Sequence, residues 1–153
     1  MAHAFDRERV YECWPDLRPL TERHWREIAH YQDIPLNVSE YLYDAMERAG
    51  HFRLYTVRSD GILVGYAGFF VTRSTQHADS LQAVQDVLFL VPELRGRKVG
   101  LEFITWCDER LREEGVQVVY HHVKHTHNFG PLLASLGYES IGTVWGRRLD
   151  VER

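Results

Sequence analysis

Val91-Pro92-Glu93-Leu94-Arg95-Gly96-Arg97-Lys98-Val99-Gly100 is the stretch on which the fold turns. An apolar run from Ala83 precedes it and reads as a strand that Pro92 stops. Beyond it, Val99, Phe103, Ile104, Trp106, Cys107 and Leu111 mark one face of an amphipathic helix, with Glu102, Asp108, Glu109, Arg112 and Glu113 on the other. Gly115 ends that helix, and Val116 to Val123 is a β-branched strand, so the whole reads as a βαβ unit with parallel strands. A strand that opens through a short loop into a helix presents unpaired N–H groups and the positive end of the helix dipole, a combination that binds phosphate oxygens. Gly96 and Gly100 would let a diphosphate approach the backbone, and Arg95, Arg97 and Lys98 add charge.

Around this unit, 153 residues with 44% hydrophobic content suffice for one well-buried core, and we read residues 1–153 as a single domain. A formal charge of −4 and a pI near 6.1 argue against nucleic acid as a partner, since phosphate-backbone binding needs a positive field. Cys13 and Cys107 lie too far apart in sequence to suggest a disulfide. The charged N-terminus lacks a signal-peptide core and no apolar run is long enough for a bilayer, so the expectation is a soluble, cytoplasmic protein without a membrane partner.

Toward the N-terminus, Val10 to Cys13 reads as a short strand closed by Trp14-Pro15-Asp16. Thr21 reads as the N-cap of a helix to about His30, and Ser39 as the start of a second, with Leu42, Ala45, Met46 and Ala49 at helical spacing before Gly50. Phe52 to Arg58 and Ile62 to Thr72 form an expected hairpin about Ser59-Asp60-Gly61. Gly65 and Gly68 mark either a close approach or a bend. After Val123 we expect a short helix at Pro131 to Leu136, stopped by Gly137, and β structure from Tyr138 to Leu149.

The loop resembles the phosphate-binding motif Gln/Arg-x-x-Gly-x-Gly/Ala of the GNAT N-acetyltransferases, with Arg95 and Gly100 at its outer positions and Lys98 where the middle glycine usually stands. The order of elements is similar over nearly the whole chain, down to Leu136-Gly137-Tyr138, and is closest to compact phage and prophage members. The resemblance implies an α/β (α+β) GNAT fold: a mixed, mostly antiparallel sheet, splayed at its centre and flanked by about four helices. It implies acetyl-CoA as co-substrate, with pyrophosphate held by Arg95, Gly96, Arg97, Lys98, Val99 and Gly100. Pantetheine would pair with the backbone of Phe89, Leu90 and Val91, and Asn128 would be a further contact. The tyrosine that the family uses as general acid falls at Leu133, which leaves Ser135, Tyr138 or water to protonate the departing thiolate.

A primary amine of pKa about 10.4 costs about 4–5 kcal/mol to deprotonate near neutrality, so a base is useful. Asp86 is the first candidate, an acid within an apolar strand; strict alternation puts it on one face with Val84, Leu88 and Leu90 unless a β-bulge intervenes. Its alternative is a structural ion pair. His77 and the cluster His121, His122, His125 and His127 follow as proton relays or pocket residues. We expect no metal, because no cysteine or carboxylate completes a ligand set. Cys107 falls inside the helix, which disfavours a covalent route. Trp25 and Tyr43 read as core or interface. The expected function is acetyl transfer to a small-molecule or peptide amine by direct attack in a ternary complex, with a homodimer left open. The rival is a noncatalytic coenzyme A-binding or regulatory protein on the same fold.

Overall fold

A computed structural model describes residues 3–151. Strand β1 (His3–Glu8) leads into helix α1 (Val10–Ile28), followed by α2 (Glu40–Arg48) and the hairpin β2 (Phe52–Ser59) and β3 (Ile62–Arg73). Then come β4 (Leu81–Leu90), a single 3-10 turn (Pro92–Leu94), α3 (Lys98–Glu113), β5 (Val118–Tyr120) and α4 (Gly130–Ser135). The strands form one sheet in the order β1-β2-β3-β4-β5, antiparallel except for the parallel β4–β5 pair.

The N-terminal third departs from the sequence reading. The strand expected at Val10 to Cys13 and the turn at Pro15 both lie inside α1, and β1 occupies the residues before them. Thr21 does not cap a helix; its hydroxyl donates back to the Arg18 carbonyl within α1 at 2.7 Å. An interior proline costs about 3 kcal/mol through its missing N–H and its ring clash. Here Pro15 and Pro19 sit on the solvent side with Tyr11, so the carbonyls they leave unpaired, those of Tyr11 and Pro15, can be hydrated. On the opposite side Val10, Cys13, Leu17, Leu20 and His24 are all buried, at helical spacing. That buried stripe outweighs the two prolines.

The α2 and hairpin readings match the structure. Ser39 Oγ accepts from the Leu42 N–H at 3.1 Å as an N-cap. Asp60 at φ 51° and Gly61 at φ 82° make the two-residue turn, whose left-handed residues match the strand twist. Gly65 and Gly68 are sites of close packing: a Cβ on Gly68 would lie 2.7 Å from Phe52 Cζ and 2.9 Å from Val87 Cγ2.

Two apolar clusters sandwich the sheet. Phe52, Leu54, Tyr66 and Phe89 pack against α1 on one face; Tyr55, Val57, Phe69 and Ala83 pack against Phe103, Cys107 and Leu111 of α3 on the other. The sheet splays as expected. Parallel pairing covers only Gln82↔Val118 to Val84↔Tyr120, while β4 runs on to Leu90 against β3 alone.

The β structure expected between Tyr138 and Leu149 is not found. Residues 139–149 form no strand, and Ile141, Val144, Trp145 and Leu149 are exposed. β5 offers only three paired residues as a template, and the segment is instead drawn to the α1–α2 connection. There Arg148 binds Asp33 at 2.8 Å and lies 5.7 Å from the Tyr31 ring centre.

Candidate active site

The chain leaves β4 through the 3-10 turn and Gly96, which takes φ +75°, a conformation that favours glycine. Arg97 is then the N-cap residue of α3, yet its side chain makes no capping bond, and the first turn holds no acid. The leading N–H groups of α3 therefore keep both their open hydrogen bonds and the positive end of the dipole. Among the described residues, neither Arg97 nor Lys98 has a side-chain hydrogen-bond or ion-pair partner, and both are exposed beside this terminus. Val99 is buried in the α3 core cluster, and Gly100 faces Leu90 and Leu132 with room for a methyl group.

Arg95 does something else. Its Nε donates to the Leu90 carbonyl at 2.8 Å, its Nη2 to Glu27 at 2.7 Å, and its guanidinium lies 5.5 Å from the Phe89 ring centre. It ties the end of β4 to α1, so the free positive charge at the loop comes from Arg97 and Lys98.

The splayed edge also sorts the three β4 residues expected to present backbone groups. The Val91 N–H donates to the Val64 carbonyl at 2.9 Å. Along an antiparallel ladder hydrogen-bonded positions alternate, so Phe89 also faces β3, while Leu88 and Leu90 turn their N–H groups toward the opening. Of the three expected residues only Leu90 turns its N–H toward the opening, where Leu88 joins it, while Phe89 and Val91 face β3. The Leu90 carbonyl is already held by Arg95.

Asp86 is the extra residue of a β-bulge, since Gly68 faces Val87 while Phe69 faces Gln85. The bulge moves its side chain to the α1–α2 face with Val87 and Phe89; Leu88 packs on the other side with α3, against strict alternation. There Asp86 accepts a short hydrogen bond from the Tyr43 hydroxyl of α2. The residue as a whole is exposed, but its carboxyl is crowded by protein atoms. That desolvation raises its pKa above the ordinary carboxylate value, opposed by the Tyr43 bond and the nearby His122.

His121 lies on the opposite side of the cleft. Its Nδ1 donates to Gln85 Oε1 at 2.7 Å, and rings of Phe69, Phe129 and Tyr138 surround it within 6.0 Å. Burial lowers its pKa to about 4, so it is neutral near pH 7, with a buried Nε2 that has no hydrogen-bond partner among the described residues. Tyr138 donates to Asp108 of α3 at 2.7 Å, and Ser135 to the Leu132 carbonyl at 2.6 Å, so both hydroxyl protons are engaged. Asn128 accepts from the Gly130 N–H at 2.9 Å and starts α4. His77 is exposed in the β3–β4 loop, at the end of β4 away from the splay. His125 and His127 sit in the loop after β5, and among the described residues no group of three or more His, Cys, Asp or Glu converges. Cys107 is 1% exposed, and burial drives its thiol pKa well up, which keeps it protonated.

Sequence reasoning missed His24 and Tyr66. His24 Nδ1 and the Tyr66 hydroxyl are 3.0 Å apart and buried, and burial lowers the His24 pKa to about 4. His24 is the one titratable residue on the buried face of α1 other than Cys13, a signal visible only when α1 is read as one helix.

Comparison with known proteins agrees with this geometry. The chain matches the Acetyltransferase (GNAT) family over residues 9–138. It is 28% identical over 68 residues to the aminoalkylphosphonate N-acetyltransferase of Salmonella typhimurium, a match spanning 44% of this chain and 42% of that relative's length. An aminoglycoside acetyltransferase from an uncultured soil metagenomic sample, solved in complex with sisomicin, superposes with a TM-score of 0.75 at 14% identity over 97% of each chain. A predicted acetyltransferase of Clostridium acetobutylicum with acetyl-CoA superposes at 0.72 with 7% identity, again over 97% of each chain, and shares the fold. With its uncapped α3 terminus behind a splayed β4, and a family match over 130 residues, the chain belongs to the acetyltransferase (GNAT) family.

Proposed function

We propose that the protein transfers an acetyl group from acetyl-CoA to a primary amine by direct attack. The carrying observation is the pairing of an uncapped helix N-terminus with an adjacent strand edge that, among the described residues, lacks a strand partner beyond Val84. The residues fit the co-substrate: N–H groups at 96–100, with Arg97 and Lys98, for the pyrophosphate, and the Leu88 and Leu90 N–H groups for the pantetheine arm or the thioester carbonyl. Acetyl-CoA supplies the activated acetyl thioester.

The chain's own chemistry starts at Asp86. A carboxylate of raised pKa is a better base than an ordinary one, and the Tyr43 hydroxyl orients it. It takes the proton that the attacking ammonium must lose. His121 is disfavoured in that role because burial makes it a weaker acceptor than an ordinary imidazole and an aromatic cage encloses it. With the Ser135 and Tyr138 protons engaged, the thiolate takes its proton from water. The buried Cys13 and Cys107 are both free thiols and fit a reducing, cytoplasmic setting. Among the described residues no helix is long and apolar enough to cross a membrane.

Calorimetric titration with acetyl-CoA, paired with a thiol-release assay in the presence of amines, tests the proposal. Saturable binding with amine-dependent thiol release is the expected result. Folded protein that gives no heat overturns it, and binding without turnover across a broad amine panel would instead support the noncatalytic reading.

A further inference from the structure

Between α1, α2 and the sheet lies a cavity of about 210 Å³. Trp14, Leu17, Trp25, Ile28, Phe52 and Leu54 supply its apolar walls, and the His24–Tyr66 pair lies among them. A second, shallower hollow of about 440 Å³ continues it outward beneath the α1–α2 connection, sharing Trp25, Leu36, Val38 and Tyr43. Among the described residues no Asp, Glu, Lys or Arg lines either space. Tyr43 stands at the junction of the two and donates to Asp86, which puts the proposed base at the rim, while Glu27, the other carboxylate felt by His24 and Tyr66, is neutralised by Arg95.

Chemistry of this kind selects a particular acceptor. A polycationic amine needs several carboxylates to replace its hydration, and these walls provide none. One ammonium can lie at the rim against Asp86. An apolar arm can then enter the cavity, since apolar cavities of about 150 Å³ already take a benzene-sized guest. Resting on the acetyltransferase reading above, we propose that the acceptor is a primary monoamine bearing one aromatic ring or a branched alkyl group, which seats in the cavity between α1, α2 and the sheet.

This assignment separates the chain from the structural relative solved with sisomicin, a likeness of fold at 14% identity. The His24–Tyr66 pair adds one hydrogen-bonding point on the cavity wall, suited to a single hydroxyl on the ring and not to a second charge.

The test compares amines that share an aminoethyl end. 2-Phenylethylamine and 3-methylbutylamine should exceed ethylamine in kcat/KM by on the order of 10- to 100-fold, as burial of one large apolar group implies. Spermidine and sisomicin should fall below 2-phenylethylamine. Equal values for ethylamine and 2-phenylethylamine, or a maximum on the polycations, overturns the proposal. A binding arm stands apart from catalysis, because Trp14 and Trp25 line the cavity. 2-Phenylethylamine should change the tryptophan fluorescence saturably and ethylamine should not; the absence of a saturable change overturns the assignment whether or not acetyl-CoA binds. Val38→Trp, which fills the cavity from its outer side, should raise KM for 2-phenylethylamine about tenfold and that for ethylamine by less, so that the preference between the two amines narrows; an unchanged preference overturns the assignment. Should that variant not fold, the wild-type fluorescence result decides alone. Loss of acetyl-CoA heat with fluorescence binding intact would defeat the enzymatic reading and leave the cavity's ligand class standing.

Discussion

One half of the sheet is closed and the other is open. From β1 through β3 every strand is paired along its length: β1 matches His3↔Ser59 to Glu8↔Leu54, and β3 pairs with β4 from Arg73↔Leu81 to Gly65↔Leu90. Past Val84↔Tyr120, the far edge of β4 has no strand beside it among the described residues, and β5 stops after three residues. The closed half binds α1 and α3 through two apolar clusters and supplies the stability. The open half holds unsatisfied backbone donors, the uncapped α3 terminus and a bulged Asp86, features that cost stability and that a substrate can satisfy.

Substitutions should therefore separate stability from activity according to which half they touch. The largest loss of stability is expected for Phe103→Ala. This residue is 1% exposed and packs 5.5 Å from the Phe5 ring of β1, so truncation should cost about 3–5 kcal/mol in denaturant unfolding. Asp86→Asn should do the reverse. It should lower kcat by about 10²- to 10⁴-fold and remove the acidic limb of the pH–rate profile, with the melting temperature and acetyl-CoA affinity little changed. An intact acidic limb would remove Asp86 from the mechanism.

His24 links the halves, and its depressed pKa has a definite sign. The unfolded chain takes up its proton near pH 6.5, whereas the folded chain does so only near 4. Stability conferred by the neutral imidazole is therefore present above about pH 6.5 and is lost as pH falls toward 4, by about 3 kcal/mol. In His24→Gln, the unfolding free energy measured across that window should lose this slope. The smallest effect, about 1–3 kcal/mol, is expected for Gly68→Ala, whose new methyl group must displace Phe52 and Val87. A neutral outcome would mean that the β3–β4 packing yields more readily than the closed half should.

The same division governs what could be read from the sequence. The βαβ unit was legible because its signals are local: alternating apolar residues, Pro92, the basic loop and the Val99–Leu111 stripe. Helix α1 was not, because prolines at 15 and 19 signal a break, and only the tertiary burial of Val10, Cys13, Leu17, Leu20 and His24 overrides them. That error also hid His24. At the site, Asp86 stood out as an acid in an apolar strand, but its partner Tyr43 lies 43 residues away on α2, and no spacing rule connects them. The engagement of Arg95 with Glu27, 68 residues distant, is equally invisible in the motif. Tyr138 to Leu149 carries β-forming residues, yet strand formation needs a neighbouring edge, and a three-residue β5 offers little of one.

In the proposed reaction the open edge of β4 and the N-terminus of α3 together receive acetyl-CoA. Amide hydrogen exchange with and without acetyl-CoA tests it residue by residue. Protection is expected at Leu88 and Leu90 and at the amides from Gly96 to Gly100, with those of Phe89 and Val91 little changed because β3 already holds them. Binding accompanied by protection only elsewhere, or no protection at saturating acetyl-CoA, would contradict it.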